Sequence, residues 1–170
     1  RSAVGDLLFY ASDGSWERGT PLVPNFAFPL PVSAASVAVL EATGDEFPDL
    51  FVLGTDGSTQ LYPHSGDNEA PYTVETVTPD ILGAALTAAT ALDVYDTDGD
   101  GDGDILVSTA AGSVWEFRQS SGAFALTNKS YASTHNSLGV NCHVSIGDMD
   151  GDSDVDLVIG DAPGGLAFLL

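Results

Sequence analysis

Asp96, Asp98, Asp100, Asp102 and Asp104 fall on every second residue of one short stretch, with threonine or glycine between them, and the apolar run Ile105-Leu106-Val107 begins at once. The layout returns at Asp148, Asp150, Asp152, Asp154 and Asp156, which lead into Leu157-Val158-Ile159. Carboxylates on alternate residues of a tight loop can converge on one point, and the intervening glycines permit the backbone angles this needs. Left alone, such charges repel; calcium, a hard cation taking roughly six to eight oxygen ligands in a forgiving geometry, removes the conflict. A solvated acidic turn is the ordinary reading of a charge run. Regular spacing, recurrence and the strand-like run that follows favour instead a calcium-binding loop between two β-strands.

With Asp96 or Asp148 as position one, the helix–loop–helix type of calcium site requires a bidentate glutamate at position twelve. Val107 and Ile159 stand there, inside the apolar runs, which excludes that type. The glycine-rich nonapeptide of calcium β-rolls does not match either. What remains is a loop whose last acid, position nine, is Asp104 or Asp156 at the start of a strand. Glycine recurs eight residues beyond such an acid in four places, pairing Asp6 with Gly14, Asp49 with Gly57, Asp104 with Gly112 and Asp156 with Gly164. The four acids are 43, 55 and 52 residues apart, near the period of propeller blades. Repeats are therefore expected at about 1–33 (partial), 34–85, 86–138 and 139–170 (partial), within a single domain.

The spacing resembles the FG-GAP/VCBS repeat family, the blades of integrin-α-type β-propellers, most closely at GDMDGDSDVDLVIGDAPGG, residues 147–165. The resemblance implies an all-β propeller section of about three to four four-stranded antiparallel blades, with calcium loops between first and second strands. It implies that Asp96, Asp98, Asp100 and Asp104 hold one ion, with Asp102 giving its carbonyl, and that Asp148, Asp150, Asp152 and Asp156 hold another, with Asp154 in the corresponding place. Ser153 stands where the first loop has Gly101, a departure expected to weaken the second site. EATGDEFPD, residues 41–49, is the same loop in degenerate form. It keeps Glu41, Asp45 and Asp49 at positions one, five and nine as a weak third site, with Thr43 at three and Phe47 at seven.

Apolar runs mark second strands that are apolar on both faces, as sheets packed between neighbouring sheets require. Thr59–Tyr62 and the stretch around Trp115 read as third strands, and Tyr72–Val77 and Phe124–Tyr131 as outer strands. In the first repeat a third strand is expected through Trp16, and the proline-rich connection from Pro21 to Ser33 marks an irregular or edge strand. Residues 80–92 admit a short helix capped by Asp80, but alignment of the repeats makes Thr90–Tyr95 a first strand.

Of 25 acidic residues against four basic ones, which leave a net charge of −21, ten lie in the two loops. Two calcium ions would bring that charge only to −17. Neither nucleic acid nor an anionic membrane suits such a surface, and no apolar run is long enough to span a bilayer. The lone Cys142 forms no internal disulfide and reads as a buried thiol. His64, His135 and His143 match no metal or catalytic spacing, and Trp16 and Trp115 read as core. Asn128 opens a glycosylation sequon. No signal peptide is visible in a chain that opens in mid-repeat. The leading expectation is a non-enzymatic, calcium-stabilised module that binds a protein or glycan and is completed by further propeller blades from the same or another chain. Its calcium demand suits the extracellular space, a cell surface or an organelle lumen. The alternatives are part of a calcium-dependent propeller-type polysaccharide lyase or hydrolase, which the scarcity of Arg and Lys disfavours, and a structural subunit docking through open blade edges.

Overall fold

The structure, a computed structural model, describes residues 6–9, 26–30, 33–67, 70–73, 78–79, 81–82, 86, 88–130 and 140–169. Among them every regular element is a β-strand, and every pairing is antiparallel. β1 (Asp6–Phe9) pairs with β2 (Phe26–Pro29). A second sheet runs in chain order through β3 (Ala34–Leu40), β4 (Asp49–Gly54), β5 (Thr59–Tyr62) and β6 (Thr78–Pro79). A third does the same through β7 (Ala89–Tyr95), β8 (Asp104–Thr109), β9 (Val114–Ser120) and β10 (Ala123–Ser130). The fourth has three strands, β11 (His143–Gly147), β12 (Asp156–Gly160) and β13 (Leu166–Leu169).

One strand expectation needs correction. Tyr72 and Thr73, expected to open the outer strand of the second sheet, are non-strand; its described outer strand is β6, and 74–77 lie outside the described residues. The irregular or edge strand expected between Pro21 and Ser33 is β2, while the third strand expected through Trp16 lies outside the described residues, as does His135. Among the described residues two sheets have four strands and the last has three. Residues Ala89–Tyr95 form a strand, which decides between the two readings of that region.

β4 and β8 are buried along their whole length, because alternate residues feed two different cores. Ile105 and Val107 pack with Leu92 and Phe117 against Phe51, Leu53 and Leu61 of the preceding sheet. Leu106, between them on the other face, packs with Val114 against Val144, Leu157 and Ile159 of the following sheet. A strand apolar on both faces is therefore a sheet held between two others. Trp115 packs against the first of these cores. Fully burying one such aliphatic side chain contributes about 1.5–3 kcal/mol.

The first strands lie beside one another, β3 next to β7 and β7 next to β11. Asp93 ties two of them, its Oδ2 accepting from the Ile146 N–H at 3.0 Å and the Ser145 hydroxyl at 3.2 Å. One main-chain bond recurs in all three larger sheets: Thr55 N–H to Ser33 O at 2.8 Å, Ala110 to Ala88 at 2.7 Å and Ala162 to Val140 at 3.1 Å. The glycine eight residues past position nine has its reason here. Gly57, Gly112 and Gly164 turn the second strand into the third at φ of 82°, 83° and 95°, a region a side chain rarely tolerates.

Candidate metal centre

Each acidic loop joins the first strand of its sheet to the second, and its backbone is held by its own carboxylates. At position one, Asp96 accepts from the N–H groups of Gly99 at 2.7 Å, Asp100 at 3.1 Å and Gly101 at 2.9 Å. Asp148 repeats this with Gly151 at 2.7 Å and Ser153 at 3.2 Å. Position five caps the turn, Asp100 accepting from Asp102 N–H at 2.9 Å and Asp152 from Asp154 N–H at 2.9 Å. Position nine does something the sequence reading missed. Asp104, fully buried, accepts from Thr97 N–H and from Gln119 N–H, both at 2.9 Å, so it fastens the loop to the far end of β9. Asp49 does the same with Ala42 N–H at 2.9 Å and His64 N–H at 2.8 Å.

Within this frame Asp96, Asp98 and Asp104 each offer a carboxylate oxygen, all within 4.8 Å of one another, and Asp148, Asp150 and Asp156 do likewise. An ion 2.3–2.6 Å from each ligand spans such a separation, so the two triads, at positions one, three and nine, fit a calcium ion. Asp100, Asp102, Asp152 and Asp154 are not brought into these groups. Asp100 and Asp152 spend an oxygen on the turn, and Asp102 faces a small cavity of about 220 Å³ shared with Glu41, Thr43 and Gln119. Asp154 lines, with Asp98, a wider cleft of about 680 Å³ between the two acidic loops. Glu41, Asp45 and Asp49 form no such group among the described residues; the position-three acid that completes each triad is Thr43 here.

The electrostatics separate the positions. Burial pushes the Asp96 carboxyl up, but the N–H donors of Gly101, Gly99, Asp100 and Asp98 outweigh it and hold it below the ordinary aspartate value. Asp98 is raised, by partial burial and then by Asp100 and Asp104, against the opposing pull of Arg118. Asp150 is raised as well: the Asp152 N–H bond lowers it, and burial with Asp152 and Asp156 overrides that bond. Position three is therefore where negative charge is least comfortable and a cation relieves most.

A second group, also missed, stands behind the first loop. Glu116 is fully buried and accepts from the Thr97 hydroxyl at 2.7 Å, the Thr127 hydroxyl at 2.6 Å and Arg118 Nε at 3.3 Å. The Thr97 hydroxyl also bonds Asp104. Arg118 reaches on to Asp98, NH1 to Oδ2 at 3.2 Å. The signal was in the sequence: Glu116 and Arg118, two apart on one strand, share a face between Trp115 and Phe117. Elsewhere, Cys142 is a buried thiol in no disulfide among the described residues. Burial, with Asp161 adding to it, pushes its thiol up, away from reactivity. His64 stacks on Phe47 and meets the edge of Tyr72, and His143 is exposed.

Successive antiparallel sheets, each opened by an acidic loop of one design, define a repeat protein of the propeller-blade class. The model of the FG-GAP-like repeat matches residues 42–107 and again 96–159, and the chain belongs to that family. No curated protein matches it.

Proposed function

We propose that the chain is a calcium-stabilised section of a β-propeller, non-enzymatic, which offers a rigid surface to a protein or glycan partner. The observation that carries this is the recurrence, in consecutive repeats, of a position one–three–nine carboxylate triad close enough for one ion. FG-GAP repeats commonly bind calcium, and a bound ion would offset the repulsion concentrated at Asp98 and Asp150. The loops lie between the first and second strands of sheets whose first strands are neighbours, an arrangement that suits blades around a common axis. A calcium-rich exterior, cell surface or lumen is the matching location. In the described residues no helix is long and apolar enough to cross a membrane.

Calcium at about a hundred times its dissociation constant adds about 2.7 kcal/mol per site. Chelation should therefore lower the melting temperature by about ten degrees or more if both sites fill, and calorimetric titration should count two ions. An unchanged melt with no heat of binding would remove the calcium reading.

A further inference from the structure

The two triads have different surroundings. Fourteen residues beyond Asp104 the chain carries Arg118; the same count from Asp49 gives Pro63 and from Asp156 gives Leu170. Position fourteen after the last acid is thus an arginine only in the 96–104 repeat.

Arg118 is held from two sides. Nε lies 3.3 Å from Glu116, whose side chain is fully buried, and NH1 lies 3.2 Å from Asp98, with about a third of the Arg118 and Asp98 side chains exposed. Glu116 is itself fixed by the Thr97 and Thr127 hydroxyls. The guanidinium is thus anchored behind the loop, with its other arm on the position-three carboxylate that a metal would use. A planar fork with several fixed donors suits this bridging in a way a lysine does not.

Resting on the calcium reading above, we propose that Arg118 is a built-in counter-cation that weakens calcium binding at the 96–104 site and makes the 148–156 site the tighter of the two. Asp98 carries one negative charge and has two claimants. In the metal-free protein Arg118 lessens the crowding of Asp98 against Asp100 and Asp104, so this loop keeps its shape without an ion. When an ion enters, it meets a carboxylate already neutralised in part and a positive charge a few ångströms away. Among the described residues no cation pairs with a carboxylate of the 148–156 loop. The order of affinities is thereby opposite to the one Ser153 alone suggests: Ser153 adopts φ of 73° in the structure, so the replaced glycine has not prevented the turn.

The experiment isolates each site: D98N leaves only the 148–156 triad, which should bind calcium more tightly than the 96–104 triad left by D150N, and the reverse order overturns the proposal. D150N removes position three of the second triad, and calcium titration calorimetry then compares D150N, R118Q/D150N and R118K/D150N. R118Q should tighten the 96–104 site by about fivefold to tenfold, the scale of a unit charge facing a divalent ion through partly solvated space. R118K, which keeps the charge, should stay near the parent. Melting read in chelator and in saturating calcium separates this from a packing role. R118Q should melt lower in chelator and recover in calcium, widening the gap, whereas lost packing lowers both melts equally. Equal or weaker affinity in R118Q, or an unchanged gap, overturns the proposal and leaves the calcium sites standing. No calcium binding in any variant, the unmutated protein included, overturns both.

Discussion

In the loop at 41–49, Glu41 accepts from the N–H groups of Thr43 at 2.8 Å, Gly44 at 2.7 Å and Glu46 at 2.5 Å; in the loop at 96–104, Asp96 does the same work for Gly99, Asp100 and Gly101. Position five caps position seven in each, Asp45 for Phe47 and Asp100 for Asp102. Position four is left-handed in each, Gly44 at φ 79° and Gly99 at φ 78°. One loop nevertheless assembles a metal-sized triad and the other does not. The acids at positions one, five and nine are thus loop architecture first, and among the triad positions one, three and nine the loops differ in having an acid only at position three. Where the metal loops have acids at position seven, the first has Phe47. It stacks on His64 at 5.0 Å between ring centres, and His64 meets Tyr72 at 5.5 Å. Aromatic packing there takes the place of the position-seven carboxylate of the other two loops.

The largest expected effect tests the shared part of that frame. Replacing Asp49 or Asp104 by alanine leaves one buried and one part-buried N–H group without an acceptor, at about 1–3 kcal/mol for each one kept from water. Both variants should lose about 3 kcal/mol or more in urea unfolding under chelation. If Asp49→Ala is mild while Asp104→Ala is severe only in calcium, position nine is a metal ligand alone and the common frame is wrong. The converse substitution, Thr43→Asp, supplies the missing acid at an exposed position. It should raise the calcium count from two to three and add up to about 2.7 kcal/mol at a hundredfold excess over the dissociation constant. An unchanged count means that Phe47 and Glu46, and not Thr43, keep the metal out. Phe47→Ala should be smaller, about 1 kcal/mol for a half-exposed aromatic contact, and equal with and without calcium.

Much of this was legible in the residues. The two-faced burial of β4 and β8 follows from LFVL and ILV read as unbroken apolar runs, and each acidic loop lies between the strands where its spacing put it. The ligand set was less legible. Alternation of five aspartates says that carboxylates are close in sequence, not which of them turn inward. That depends on the course of the folded loop, which gathers positions one, three and nine within 4.8 Å even though positions one and nine also accept main-chain bonds. The clamp that Asp49 makes was not legible, because its partner, the His64 N–H, is a main-chain group that no side-chain pattern reports. The start of the second sheet's outer strand was misplaced: Tyr72 and Thr73 fit the alternation of a half-exposed strand, yet both are non-strand.

The smallest expected effect, in pH, sharpens the contrast between positions one and three. Asp98 and Asp150 have folded pKa values above the aspartate value of 3.8. The calcium-free native state therefore binds protons at these sites before the unfolded chain does, and gains stability as pH falls through their folded values toward 3.8. Asp96 and Glu41 are shifted the other way, below 3.8 and 4.5. Their stabilisation is present above those values and is lost as pH falls through the lower folded ones. The chelated protein should therefore melt highest in weak acid and lower on both sides. Saturating calcium should remove the gain from the neutral side, because the ion already neutralises position three. The double variant D98N/D150N carries neutral amides there and should show no such rise under chelation. A rise that survives in that variant would trace to the general relief of a net charge of −21, and position three would lose its special place in the comparison.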